Sequence, residues 1–96
     1  MRIRLRLFPP LSDVARASEL SLEVEEKATL GMVVEALIAR FGDGMRGHLF
    51  DTEGRIIPSW AVFLKRRIIP FNHPEALKVR VEPEDEVSFI LNNAGG

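Results

Sequence analysis

At 96 residues, with 46% hydrophobic and 28% charged side chains, the sequence fits a single globular domain. A formal net charge of −1 gives no overall pull toward nucleic acid or an anionic membrane. The absence of cysteine excludes disulfides, a thiolate nucleophile and thiolate metal ligands, and it fits a reducing cytoplasm.

The first segment, "MRIRLRLF", places Ile3, Leu5 and Leu7 on one face and Arg2, Arg4 and Arg6 on the other. This period of two predicts a half-buried strand over Arg2–Phe8. The same alternation lacks the continuous apolar core of a signal peptide, and no apolar run is long enough to span a membrane. Pro9 and Pro10 end the strand, because proline removes a ladder N–H. "LSDVARA" predicts a short helix capped by Ser12 or Asp13. Leu20–Glu26 alternates again, with Leu20, Leu22 and Val24 inward. Antiparallel pairing of these two strands would set Arg2, Arg4 and Arg6 against Glu23 and Glu25. Each such pair stabilises by roughly 0.2–1 kcal/mol.

Thr29 can cap a helix through "LGMVVEALIARF", whose stripe is Leu30, Val33, Val34, Leu37, Ile38 and Phe41. Gly42 suits the positive φ that closes such a helix. "GDGMRG" reads as a loop. "HLFDTEGRII" reads as a hairpin turning at Thr52–Gly54. After Pro58, "SWAVFL" predicts a strand. Ile68–Phe71 predicts a further short strand, "HPEAL" a single helical turn, "EPED" a turn, and "EVSFIL" the last strand. No repeat, linker or low-complexity segment occurs. One main helix among several strands predicts an α+β fold with the helix lying across a mixed sheet.

The residues that could carry chemistry are few. His48 and His73 stand apart, with no Cys and no acids at ligand spacing, so they read as surface histidines and not as a metal site. Lys65, Arg66 and Arg67 form a short basic run, which reads as a solvated strand end. "FGDGMRG" follows a helix instead of preceding one and lacks the Lys and Ser/Thr of a phosphate loop. Glu82, Glu84, Asp85 and Glu86 read as a solvated turn.

The last residues, "SFILNNAGG", raise a different chemistry. A Gly-Gly stub enters channels too narrow for any side chain. The five residues after Leu91 reach up to about 17–18 Å when extended. A terminal carboxylate is ionised at neutral pH and is a poor electrophile until activated, for example as an acyl-adenylate. Nothing in the sequence resembles an ATP site, so activation would fall to a partner. Taken alone, Gly95–Gly96 is weak evidence, and an ordinary frayed end is the simpler account. Its setting strengthens it. Val87, Phe89 and Leu91 share a face expected to lie in the core, which turns Ile90 to the other face beside the tail as a docking residue.

Taken together, "RIRLRLF", "TLGMVVEALIARF", "LFDTEGRIIPSWAVFL" and "LKVRVEPEDEVSFILNNAGG" resemble the MoaD/ThiS family of ubiquitin-like sulfur carriers. The likeness is strongest to its MoaD-like branch, the small subunit of molybdopterin synthase. It implies a ubiquitin-like β-grasp domain over residues 1–91, with the first and last strands parallel at the centre, and a flexible tail over residues 92–96. It implies that Gly96 accepts AMP from an E1-like adenylyltransferase and then sulfur from a donor protein, forming a thiocarboxylate. Gly95 and Ala94 would give the tail its clearance, while Ile90, Asn92 and Asn93 would meet the partner. The partner would be the synthase large subunit or another sulfur-accepting enzyme. The chain would be no enzyme and hold no cofactor; ATP would be used by the activating enzyme.

The sequence departs from the family at Asn92–Asn93, where apolar residues or proline usually stand, at Lys65–Arg66 for Asn-Gly, and at Pro83–Glu84 for Asp-Gly. The alternatives are a sulfur carrier for tRNA thiolation or a thiamine-like pathway, a ubiquitin-like protein modifier, and a β-grasp interaction domain without chemistry. The expected core is Ile3, Leu5, Leu7, Leu22, Val24, Val33, Leu37, Phe41, Val62, Leu64, Val87 and Phe89.

Overall fold

The computed structural model describes residues 1–91. Alternating residues in Arg2–Arg6 make strand β1, which pairs antiparallel with β2, Glu19–Glu23. Between them lies α1, Leu11–Ala15, anchored by buried Leu11. Its N-cap is Pro10, with no side-chain cap, so neither Ser12 nor Asp13 plays that part. Glu23 and Glu19 meet Arg2 and Arg6, each at 3.5 Å. Arg4 instead lies opposite Ser21, and Glu25 falls beyond the ladder.

Thr29 caps α2, Leu30–Phe41, its hydroxyl oxygen accepting from the Met32 N–H at 3.3 Å. The stripe Leu30, Val33, Val34, Leu37 and Ile38 is buried. Gly42 closes α2 with φ 77° and ψ −155°, a backbone region essentially reserved for glycine. The chain then enters α3, Asp43–Leu49, where a loop was expected. Met45 and Leu49, four residues apart on one helix face, are fully buried and hold this helix despite Gly44 and Gly47. The expected hairpin after it is reduced to one bridge, Phe50 with Ile56, closed at Gly54 with φ 80°.

Strands β3, Trp60–Leu64, and β4, Arg67–Pro70, form a true hairpin. A 3₁₀ turn at Ala76–Lys78 and the final strand β5, Glu86–Leu91, complete the fold. The sheet order is β2-β1-β5-β3-β4, with β1 and β5 parallel at its middle. One face packs on α2 and α3 and buries Ile3, Leu5, Leu22, Val62, Leu64, Val87 and Phe89 together with the α2 stripe. Val24 and Phe41, expected in the core, are only half-buried at its margin.

Both turns that depart from the family's glycine pattern have left-handed backbone. Lys65 and Arg66 sit at φ 53° and 64°, and Glu84 at φ 68°. The Lys65 ammonium reaches Glu82 at 2.8 Å and Asp85 at 3.7 Å, so the two turns clasp each other. Hydrogen bonding to Glu82 lifts the Lys65 ammonium above its usual range, and the same bond holds the Glu82 carboxyl below its own. A non-glycine residue in this region costs roughly 1–2 kcal/mol, against about 0.5–1 kcal/mol of extra chain entropy lost by glycine on folding. Glu84→Gly is therefore expected to stabilise the fold by about 0.5–1 kcal/mol. Urea denaturation checks this, and an unchanged or lower midpoint would contradict it.

Candidate functional site

The site is the end of the sheet from which β5 leaves. Its last residues are positioned by β3, with Ala61 opposite Ile90 and Trp60 opposite Leu91. On the other side β1 runs parallel to β5 with Arg6 opposite Ser88, which brings the chain just after β1 to the same end. Phe8, Pro9, Trp60, Ile90 and Leu91 line an open hollow of about 300 Å³ there. Trp60 is buried, and its indole N–H donates to the His48 carbonyl at 2.6 Å, tying the end of α3 beneath the hollow.

Leu91 does not lie in the core as its alternation with Val87 and Phe89 suggested. It is 48% exposed, and it lines the open hollow. Ile90 is half-buried on the hollow's wall, beside the exposed ring of Phe8. Farther across the open face, Phe63 and Ile68 stand opposite each other, 44% and 56% exposed. Exposed apolar residues thus run from the exit of β5 toward the β4 edge, a feature typical of interaction surfaces.

None of the five lining side chains can ionise, attack a carbonyl or hold a metal. The hollow can bind apolar surface and do nothing else. Among the described residues, no group of three His, Cys, Asp or Glu is placed to hold a metal ion. His48 is exposed and joins through its backbone carbonyl, while the His73 ring accepts from the Glu75 N–H at 3.1 Å. Among the described residues, no helix is long and apolar enough to cross a membrane. Of the expected site residues, Ile90 stands at the hollow, while Asn92, Asn93, Ala94, Gly95 and Gly96 lie outside the described residues. Phe8, Pro9 and Trp60 were not anticipated; the available signal was Phe8 itself, a large apolar residue on the arginine face of β1.

A five-stranded mixed sheet with parallel outer-sequence strands at its centre and one main helix across it is the ubiquitin-like β-grasp fold. Small archaeal modifier protein 1 of Haloferax volcanii shares it at a TM-score of 0.80 and 21% identity, with 100% of both chains covered. The HVO 2177 protein of the same organism gives a TM-score of 0.77 at 28% identity, over 100% of this chain and 87% of that one. A Pyrococcus furiosus protein assigned as molybdopterin converting factor, subunit 1, gives 0.68 at 14% identity, over 95% and 97%. The resemblance to MoaD/ThiS carriers therefore holds in the fold. No family model matches the sequence, and no curated protein does.

Proposed function

We propose that this chain is a sulfur carrier that works through Gly96. In this reading an E1-like enzyme uses ATP to join AMP to the Gly96 carboxylate. Pyrophosphate leaves in that step. The donor's persulfide then displaces AMP to give an acyl disulfide. A thiol cleaves its S–S bond, leaving the thiocarboxylate on Gly96 and a disulfide on the donor. The carrying observation is the placement of β5. Held between β1 and β3, it ends at Leu91 beside an apolar hollow that has no reactive side chain of its own. Chemistry at this end is thereby left to the tail and to whatever grips it. Residues 92–96 reach about 17–18 Å from Leu91 at most. An enzyme that holds Gly96 must come down over Phe8, Ile90 and Leu91, which gives the exposed apolar residues their use. Asn92 and Asn93 would be the residues that this enzyme meets next, and Ala94 and Gly95 the ones that pass its channel.

The receiving pathway we favour is molybdopterin assembly, with a synthase large subunit as acceptor. The assigned name of the Pyrococcus furiosus neighbour supports it. The names of the Haloferax volcanii modifier structures favour a second reading, in which Gly96 joins the lysines of target proteins. One experiment separates them. The chain is incubated with an E1-like activating enzyme, ATP, a persulfide sulfur donor and a thiol reductant, with and without the lysine-bearing proteins of a cell extract, then weighed intact. The carrier gains the mass difference between sulfur and oxygen. A modifier instead appears in isopeptide linkage to lysine. Absence of any adenylate or mass change with every activator tried would refute both.

A further inference from the structure

Strand β4 is a free edge of the sheet, and it carries Ile68, at 56% exposure the most exposed large hydrophobic side chain among the described residues. The β3–β4 ladder fixes which backbone groups this edge presents. Phe71 donates its N–H to the Trp60 carbonyl at 2.9 Å. Antiparallel alternation then turns the backbone groups of Arg67 and Ile69 toward Leu64 and Val62, and those of Ile68 and Pro70 outward. Pro70, with no N–H to give a ladder, falls on an outward position, in keeping with this phase. Ile68 is thus the one β4 residue that turns both an N–H and a C=O outward.

Beside the same edge lies a hollow of about 220 Å³, whose walls include Arg67, Ile69, Pro70, His73 and Glu75. Arg67 shares a strand face with the buried Ile69, so it stands on the helix side of the sheet. The hollow carries opposite charges that do not meet. Among the described residues Arg67 has no acidic partner, and Glu75 reaches only Lys78, at 3.5 Å. A short edge bearing arginine and proline discourages open-ended strand addition. It leaves one closed register.

We propose that β4 pairs antiparallel with β4 of a second copy, about a two-fold axis at Ile68, joining two five-stranded sheets into one. The two Ile68 residues exchange both of their outward N–H···O bonds. Pro70 of each copy then faces Arg66 of the other. Arg66 is a turn residue at φ 64°, where the ladder ends in any case, so the missing N–H forfeits one bond per copy. Arg67 of each copy comes opposite Ile69 of the other, over its hollow and toward its Glu75. On the open face Phe63 and Ile68 are cross-strand neighbours, so both copies together present one continuous apolar row. The contact is self-complementary, as a two-fold interface requires. A foreign strand would have to match both the absent Pro70 N–H and the crossed charges. The end of β5 lies beyond β3 from this edge, so pairing leaves the tail's exit open.

The test is sedimentation equilibrium of the full chain at low salt, over protein concentrations from about 10 μM to about 1 mM. The mass is expected to rise from 10.8 kDa toward twice that value. Over the same range, amide shifts of the ¹⁵N-labelled chain should centre on residues 66–70 and 75, with none at residues 20–25. Ile68→Lys, at an exposed position, sets two ammonium groups against each other at the axis and should weaken pairing by about tenfold or more. Arg67→Glu and Glu75→Arg, also at exposed positions, should each weaken it. Together they should restore it, because the exchanged charges meet again across the axis. General stickiness of an apolar edge gives no such recovery. A constant monomer mass over the whole range would overturn the proposal. So would pairing that survives Ile68→Lys unchanged, or a double variant as weak as either single one.

Discussion

A chain lacking Gly95 and Gly96 is expected to melt at the full-length temperature and to take up no sulfur. The core explains the first half. The buried residues of β5 end at Phe89, and Leu91 is already half-exposed, so the core of the described residues is complete before the cut. Surface changes of this kind stay within about 0.5 kcal/mol. The second half follows from reach and bulk. Removing two residues shortens the tail by about 7 Å and leaves a terminus with a Cβ. A domain that merely docks would keep its partner after this cut, whereas a carrier would lose its whole activity. Calorimetry and intact mass after incubation with activating enzyme, ATP and sulfur donor measure the two halves. Sulfur uptake by the shortened chain would remove Gly96 from its role.

Phe89→Ala should be the most damaging single change, at about 3–5 kcal/mol. Phe89 is fully buried in β5 opposite Val62, and its ring meets Phe71 edge-on at 6.2 Å and 77°. Two neighbouring strands and the helical layer fix the walls around it, so the void cannot close. Against a typical stability of about 5–15 kcal/mol this loss brings the protein near its unfolding threshold. Leu91→Ala, two residues along the same face, should cost about 1 kcal/mol or less, because roughly half of that side chain is already in water. Urea midpoints for the two variants give the comparison. Similar losses would put Leu91 back in the core.

The contrast between those two residues also shows where a sequence stops being informative. Period-two alternation assigns Val87, Phe89 and Leu91 to one face, and that is correct. Whether a face is buried depends on what lies under it, and Leu91 lines an open hollow. Segment 43–49 failed for the opposite reason. Gly44 and Gly47 oppose a helix locally, and only the core's demand for Met45 and Leu49 makes one. By contrast α2, with its threonine cap, continuous stripe and closing glycine, was legible from end to end. At the candidate site Ile90 was legible because it neighbours the tail. Phe8, Pro9 and Trp60 come from distant segments, and only the sheet order brings them to Leu91.

That sheet order also has a mechanical consequence. Because β1 and β5 are parallel neighbours, the start of β1 and the end of β5 lie at opposite ends of the sheet. A pull that separates those two points runs along both strands. It loads their hydrogen bonds together in shear, instead of peeling them one at a time as it would at an antiparallel hairpin. A protein tugged through the end of β5 would thus resist extension at its strongest seam.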